Sequence, residues 1–215
     1  MSRPGRPRHR DALRPGITAV EQILDAAGEL FVTQGFTVTS TRSIAEAVGI
    51  RQASLYHHFP NKEAILEALL GATVVPSLEF ARRVTRSVDD PRAALWAVTA
   101  GDAANLLSVP WNLGRLYLLP EVDGIEGFHR RRRELHAVYR ELAVDVVGGD
   151  EFRCGLPVRL TETVIAQRVD DPGIAGDEVA ADIADAALRV LGVDVDDALR
   201  ADGRALVEQH LPVPD

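Results

Sequence analysis

Residues 39–62 limit the fold of this 215-residue chain more than any other segment, because they predict two short helices joined by a tight turn. Thr39 and Ser40 carry the hydroxyls that start a helix, and Gly49 is the residue type that ends one and lets the chain turn. Between them apolar residues recur at helical spacing: Ile44, Ala45 and Val48. The first half of the segment therefore predicts a helix that stops at Gly49.

The second half of the segment predicts another short helix, which Pro60 ends. Leu55 and Phe59 lie four residues apart and would form its inner side. The polar residues left on its other sides are Gln52, Ser54, Tyr56 and His58. Two helices in this order predict a helix-turn-helix, and a DNA duplex is the simplest partner for outward polar groups.

The segment also resembles a known family. With residues 63–66 added, it resembles the DNA-binding domain of TetR-type transcriptional regulators, whose pattern is a T-x-R-x-I-A-x-x-x-G helix followed by L-Y-x-H-F-x-x-K. The resemblance covers residues 17–70. It implies a three-helix DNA-binding domain, a helical ligand-binding and dimerisation domain, and release of DNA when a small molecule enters the latter.

Candidate DNA contacts follow from the outward side of the second helix and from the resemblance. Gln52 and Ser54 are near the helix start and could reach base edges, while Tyr56, His58 and Lys62 could reach phosphates. The resemblance adds Thr41 and Arg42 as backbone or groove contacts. Ala53 offers a base only a methyl group, and the sequence assigns no role to His57. A solvent-exposed polar side of a bundle helix is the alternative interpretation.

The net charge of −8 at first argues against a nucleic-acid ligand, but the charges are segregated along the sequence. Residues 1–15 carry five arginines and one aspartate, whereas residues 145–215 carry sixteen acids and six arginines. An acidic distal domain would turn the basic end toward DNA. Residues 1–16 are predicted to be a mobile arm, which either contacts DNA or has no role.

The remaining sequence predicts helices and no strand, so the fold class is all-α. We expect a DNA-binding domain over residues 17–60 and an effector-binding and dimerisation domain over 61–215. A long helix should begin near Asn61 and run to Arg86, with Pro76 as a point of bending. Later helices are predicted over residues 91–107, 128–147, 156–169, 177–191 and 196–209, with a glycine-containing connection over residues 121–127 before the second of these.

The central helices supply candidates for an effector pocket, chosen as bulky or amphipathic side chains: Phe80, Trp96, Asn105, Trp111, Tyr117, Phe128, His136 and Tyr139. Each is also a plausible core residue. The run Arg130–Arg133 encircles its helix, so that Arg131 or Arg132 is drawn toward the core. That arginine should either pair with Glu121, Asp123 or Glu126, or line the pocket and bind an acidic effector.

Two C-terminal helices have apolar sides rich in small residues. The resemblance implies that they pair with their copies across a two-fold axis. The interface would include Leu160, Val164, Val179, Ile183, Ala187 and Leu191. Packing within the chain is the alternative. A dimer would place two recognition helices about 34 Å apart and would require an inverted-repeat operator.

Other classes of protein fit the sequence poorly. It contains no catalytic motif, phosphate-binding glycine loop or cysteine set for a metal, so we expect no enzyme, no cofactor and no metal site. The single cysteine and the lack of a signal peptide or membrane-length apolar run indicate a cytoplasmic protein. The expected function is transcriptional repression, with an activator or a ligand-binding scaffold that has lost DNA binding as alternatives.

Overall fold

The computed structural model describes residues 18–174 and 176–211, in which every regular element is helical. The all-α prediction is confirmed. The predicted arm, residues 1–16, lies outside the described residues. The chain divides into two compact units, Met1–Leu69 and Leu70–Asp215, and the division falls inside the fourth helix. The residues between the predicted boundary, after residue 60, and Leu69 therefore belong with the N-terminal unit.

The N-terminal unit contains three helices and the start of a fourth. They are α1 (Ala19–Thr33), α2 (Thr41–Val48), α3 (Gln52–His58) and α4 (Lys62–Ser87). The predicted capping box at Thr18 is confirmed: its hydroxyl accepts from the Glu21 amide at 3.2 Å, and the Glu21 carboxylate accepts from the Thr18 amide at 2.7 Å. The core of α1 is Ile23, Ala26, Ala27 and Phe31, whereas Val20 is exposed.

The turn between α2 and α3 depends on a left-handed residue. Gly49 has φ +82° and forms the C-cap of α2, and its amide hydrogen bonds to the Ala45 carbonyl at 2.9 Å. An added Cβ would meet no atom within 4 Å, so a substitution there changes only the backbone energy. Glycine is thus required for conformation and not for space.

We expect Gly49→Ala to destabilise the N-terminal unit by about 1 kcal/mol, because alanine is strained at positive φ. Urea unfolding measures the change. Gly71 is the control, since it lies inside α4, has ordinary helical geometry and also has open space around its Cβ position. Gly71→Ala should stabilise the protein by about 0.5–1 kcal/mol, so equal effects of the two changes would contradict this account.

The C-terminal unit surrounds one buried helix. Its α-helices after α4 are α5 (Pro91–Ser108), α6 (Glu126–Val147), α7 (Glu151–Cys154), α8 (Leu156–Asp170), α9 (Asp177–Val190) and α10 (Asp197–His210). Two 3-10 helices, Leu113–Leu118 and Pro120–Gly124, precede α6, and the second covers the first half of the predicted connection over residues 121–127. α5 packs against α6, α8, α9 and α10.

Glycines allow the closest approaches to α5. A Cβ on Gly203 of α10 would lie 2.3 Å from the Trp96 ring, and one on Gly101 would lie 2.2 Å from the Phe80 ring. Both aromatic rings are therefore seated directly on a backbone. This arrangement makes Trp96 and Phe80 structural residues of the core, where they are 1% and 2% exposed.

α4 is continuous through Pro76, so the predicted long helix is confirmed. By length and composition α4 passes the test for a membrane span, with a mean hydropathy of 1.5, contrary to the sequence expectation. However, 56% of that apolar window is buried inside the protein. A buried core helix has the same composition, so this is weak evidence for a membrane.

Candidate nucleic-acid interface and ligand region

α3 presents a polar surface outside the N-terminal core. Leu55 is fully buried and Phe59 is 8% exposed, as the spacing predicted. Gln52, Ala53, Tyr56, His57 and His58 are exposed, and Ser54 is half-buried. α3 therefore has one side in the core and the rest available to a partner.

Three predicted DNA contacts are joined in one exposed hydrogen-bonded cluster. The Gln52 amide donates to the Thr41 hydroxyl at 2.9 Å and to the Tyr56 hydroxyl at 3.3 Å. The Thr41 and Tyr56 hydroxyls are 3.1 Å apart. Thr41 is the first residue of α2, so this Thr41–Gln52–Tyr56 cluster joins the start of α2 to α3. It fixes the polar groups in place before any ligand binds.

Arg42 is also placed for contact with an anion. Its guanidinium pairs with Glu46 at 2.9 Å, and the two side chains are 77% and 65% exposed. An ion pair this exposed contributes little to stability, because solvent screens it. A phosphate could therefore compete with Glu46 for Arg42 at little cost.

Lys62 has a different role from the phosphate contact that we predicted. Its ammonium donates to the carbonyls of Phe36 at 2.7 Å and Thr39 at 2.9 Å, and it lies 4.2 Å from the centroid of the Phe36 ring. A third carbonyl, that of Thr37, lies at 3.4 Å. The ammonium is directed into the turn between α1 and α2 and holds it to α4. Sequence reasoning missed this because the acceptors are backbone atoms more than twenty residues away.

Two further residues of this surface carried no assigned role in the sequence. Arg51 is the exposed N-cap of α3 and makes no capping hydrogen bond with its side chain. His57 is exposed near the other end of the helix. Helical geometry is the signal that could have found His57, because it lies about 200° around α3 from Leu55.

Several predicted pocket residues form a polar cluster between α4, α5 and the first 3-10 helix. The Asn105 amide donates to the Thr73 carbonyl at 2.7 Å and to the Ser77 hydroxyl at 3.0 Å. The Tyr117 hydroxyl donates to the Thr73 hydroxyl at 2.7 Å. The Phe128 ring lies 5.0 Å from the Tyr117 ring. Burial raises the pKa of Tyr117, so its hydroxyl remains protonated.

Tyr139 and His136 belong to neighbouring parts of the same region. The buried Tyr139 hydroxyl lies 3.0 Å from the Asp102 carboxyl and 3.1 Å from the Thr161 hydroxyl. Burial raises the pKa of Asp102, which opposes its ionisation. His136 lies 3.4 Å from Glu162. These groups bring α5, α6 and α8 together.

The other pocket candidates are placed elsewhere. Phe80 packs on Gly101, and Trp96 faces α9 and α10, where its ring nitrogen donates to Asp185 at 2.9 Å. Trp111 is half-buried after α5. A groove with a volume of about 100 Å³ lies beside Trp96, and of the eight candidates only Trp96 borders it. Phe80 and Trp96 therefore lie apart from the polar cluster of Asn105 and Tyr117, and the effector pocket stays a prediction.

The polar interior is satisfied by its own hydrogen bonds. Among the residues that the structure describes, no buried side-chain nitrogen or oxygen lacks a partner. A ligand entering the region of Asn105, Tyr117 and Tyr139 would therefore have to replace existing hydrogen bonds. Such a site can discriminate strongly between ligands, because a poor match leaves buried polar groups unpaired.

The arginine run behaves as helical geometry predicted, but its inward member pairs with a different acid. Arg132 hydrogen bonds to Glu162 of α8 and lies over the Tyr117 ring, 5.7 Å from its centroid. Arg133 pairs on the surface with Glu126 at 2.6 Å. The sequence placed Arg131 or Arg132 near the core but could not identify Glu162, which is thirty residues away.

Glu162 makes an acid-dependent contribution to stability. Burial alone would raise its pKa, but His136, Arg132 and Arg159 together lower the pKa of Glu162 to about 2, from an ordinary value of 4.5. Ionised Glu162 therefore stabilises the folded state fully above pH 4.5, and this stabilisation is lost as the pH falls toward 2. Glu162→Gln should lower the free energy of unfolding at neutral pH and make it depend less on pH between pH 2 and pH 4.5.

Urea unfolding across that pH range measures the Glu162 effect. Glu151 is the control, because its pair with Arg140 is on the surface and its side chain is 79% exposed. Glu151→Gln should change the neutral-pH stability by less than about 1 kcal/mol. A steep acid limb retained in Glu162→Gln would show that other groups are responsible.

Most of the predicted dimer interface is core of the single chain. Val164 and Ala187 are fully buried, Leu191 is 2% exposed and Ile183 is 8% exposed. These four residues therefore pack inside the chain, which matches the alternative interpretation for them. Leu160 and Val179 are only partly buried. Pairing of α8 and α9 with a second copy stays a prediction.

Metal sites were not expected, and the residues that the structure describes contain no cluster of three or more His, Cys, Asp or Glu residues suited to an ion. The arrangement of the N-terminal unit is instead that of a docking surface. It combines a buried inner side, a fixed polar cluster and an exposed arginine.

Comparisons with known proteins agree with this geometry. Residues 23–69 match the profile of bacterial regulatory proteins of the tetR family. The crystal structure of Mycobacterium smegmatis AmtR is 45% identical, with a TM-score of 0.86, and covers 94% of this chain and 100% of its own. The TetR family transcriptional regulator PfmR from Thermus thermophilus has the same fold, with 24% identity, a TM-score of 0.64 and coverage of 78% and 97%.

A curated relative matches over a shorter region. The HTH-type transcriptional repressor KstR2 from Rhodococcus jostii is 38% identical over 77 residues, which is 36% of this chain and 38% of the relative. The chain thus matches well under half the length of this relative. A match of this length supports no statement about ligands.

The fold and its N-terminal surface define a helix-turn-helix transcriptional regulator. The chain belongs to the tetR family of bacterial regulatory proteins. This membership confirms the family predicted from residues 39–62 and the expectation that the chain is not an enzyme.

Proposed function

We propose that this protein represses transcription by binding an inverted-repeat operator in double-stranded DNA as a homodimer, and that a small-molecule effector releases it. The observation that carries the proposal is the exposed Thr41–Gln52–Tyr56 cluster beside the exposed side of α3. A surface fixed in this way loses little conformational entropy when a duplex binds. Its similarity to a transcriptional repressor supports repression over activation.

Phosphate binding is assigned to the rim of this surface. Tyr56 and Thr41 carry hydroxyls that can donate to phosphate oxygens, and Arg42 can exchange Glu46 for a phosphate. His58 is exposed at the end of α3 and is also assigned to phosphate binding. Ser54 and Gln52 lie nearest the start of the helix. Removing the cationic contact of Arg42 should reduce the salt slope by roughly one unit, whereas removing a neutral hydroxyl contact should weaken binding with little change in the slope.

The proposed homodimer uses the outer sides of α8 and α9. Leu160 and Val179 remain partly exposed there, and Val190, on the same side of α9 as Val179, is 38% exposed. Pairing these helices with a second copy would cover this apolar surface and place two recognition helices on one side of a duplex. Sedimentation of the purified chain tests the stoichiometry: Val190→Glu should give monomers, and an unchanged dimer would exclude this interface.

The proposed effector enters the region of Asn105, Tyr117, Phe128, His136 and Tyr139, with Trp111 near its edge. α4 contributes Thr73 and Ser77 to that region and begins at Lys62 in the DNA-binding unit. An effector that displaced these contacts would shift α4 and change the spacing of the recognition helices. Full release requires that it favour the second state by about 5.5 kcal/mol. A cross-link that fixes the dimer spacing should abolish release.

The proposed location is the cytoplasm, where the operator is accessible. Repression and activation by the same fold differ in where the operator lies relative to a promoter. A reporter gene placed behind the operator separates them, because a repressor lowers expression and an activator raises it.

The test of DNA binding is selection of duplexes from a random pool by the purified full-length chain at physiological salt. We expect an inverted repeat to be enriched, and Tyr56→Ala to weaken binding to every sequence. Thr85→Ala is the matched control, because Thr85 is an exposed residue of α4 in the other unit and lies outside the proposed dimer helices. If the folded protein enriches no sequence even at low salt, the ligand-binding scaffold becomes the better account.

A further inference from the structure

The side of α3 opposite the core carries two residues, Ala53 and His57, that have no part in the phosphate-binding rim. Successive residues of an α-helix are rotated by about 100°, so Ala53 and His57 each lie about 200° from Leu55, on opposite sides of it in sequence. They therefore come within about 40° of each other, directly opposite the side chain that anchors α3. Leu55 is fully buried, and both Ala53 and His57 are exposed.

The neighbouring polar residues lie on the flanks of α3 and are already engaged. Gln52 and Tyr56 point toward α2, where both hydrogen bond with Thr41 at its first turn. Moving the Gln52 amide to a base edge would break its contacts of 2.9 and 3.3 Å. Ser54 is half-buried on the opposite flank. The part of α3 that projects farthest from the core is thus formed by Ala53 and His57.

The geometry points to His57 as the specificity-determining residue of α3, with Ala53 beside it, while the Thr41–Gln52–Tyr56 cluster holds the phosphate backbone. This inference rests on the proposed DNA binding and reverses the sequence-based assignment of Gln52 to a base. A neutral imidazole has one donor and one acceptor, and its N–H can donate to N7 or O6 of guanine in the major groove. The Ala53 methyl suits the methyl group of thymine.

The assignment separates two kinds of effect. Loss of His57 should relax the choice of base at one position of each half-site, and leave the half-site spacing unchanged. Loss of the Tyr56 hydroxyl should weaken all sequences alike, since phosphates carry no sequence information. His57 is exposed and lies outside the core, so its substitution should leave the fold intact.

The experiment is selection from a random duplex pool with wild type, His57→Ala, His57→Gln and Tyr56→Phe, each checked for an unchanged thermal midpoint. We expect His57→Ala to lose roughly 5- to 150-fold discrimination at one base pair per half-site. His57→Gln should prefer adenine there, because glutamine pairs with N6 and N7 of adenine. Tyr56→Phe should select the wild-type sequence with lower affinity.

Two results would overturn the assignment. One is a selected sequence unchanged at every position in both His57 variants, and the other is a changed base preference in Tyr56→Phe. These results differ from failure of the proposed function, in which the wild-type chain itself enriches nothing and the assignment falls with it.

Discussion

Asp185→Ala should destabilise the protein by about 2–4 kcal/mol, because it removes the acceptor at the centre of the C-terminal unit. The Asp185 side chain is 2% exposed and accepts from the Trp96 ring nitrogen at 2.9 Å, from Arg200 Nε at 2.9 Å and from Arg189 at 3.1 Å. Burial would raise the pKa of Asp185, but these partners outweigh it and lower the pKa. The carboxylate thus joins α5, α9 and α10.

Urea unfolding measures the loss, and Arg189→Ala is the matched control. Arg189 binds the same carboxylate, but its side chain is 54% exposed, so its removal should cost less than about 1 kcal/mol. Alanine at 185 leaves the buried Trp96 N–H without an acceptor, which is the larger part of the expected cost. Equal effects of the two substitutions would mean that Asp185 is not the centre of this network.

Lys62→Met should destabilise the N-terminal unit by about 2–4 kcal/mol and leave the salt dependence of DNA binding unchanged. The substitution keeps the apolar stem but removes the donor to the Phe36 and Thr39 carbonyls and the contact with the Phe36 ring. Because the ammonium is bound to these carbonyls, it is not counted among the phosphate contacts. Stability is measured by urea unfolding, and the salt slope by titration of the selected duplex.

Arg42→Ala should have the opposite effects, with stability kept and the salt dependence of DNA binding reduced. Its side chain is 77% exposed, so its loss should leave the free energy of unfolding nearly unchanged. Loss of one phosphate contact should lower the salt slope by about 0.9. If Lys62→Met lowers the slope by that amount and leaves stability unchanged, the lysine is a phosphate ligand and the inward geometry does not describe the bound protein.

The elements that sequence reasoning predicted well depend on local chemistry. The capping box at Thr18, the left-handed Gly49 and the buried pair Leu55 and Phe59 are each specified by residues within a few positions of one another. The bounds of α4, α5, α6, α8, α9 and α10 agree with the predicted ranges to within a few residues for the same reason, whereas the four-residue α7 was not predicted. Local signals of this kind are readable in a single sequence.

The elements that sequence reasoning missed depend on contacts between distant residues. The partner of Arg132 is Glu162 of α8, and the carbonyls that bind Lys62 belong to the turn before α2. Val164 and Ala187 have the small apolar pattern of a dimer face, but that pattern also suits packing against α5. Which partner covers an apolar helix side is decided by the tertiary arrangement and not by the side itself.

Hydroxyl-radical footprinting of the selected duplex measures whether α2 and α3 of two copies contact one duplex. We expect two protected tracts, centred about 34 Å or one helical turn apart, that weaken together in Tyr56→Ala. A single tract, or protection as strong in Tyr56→Ala as in the wild-type chain, would exclude a dimer that binds through this surface.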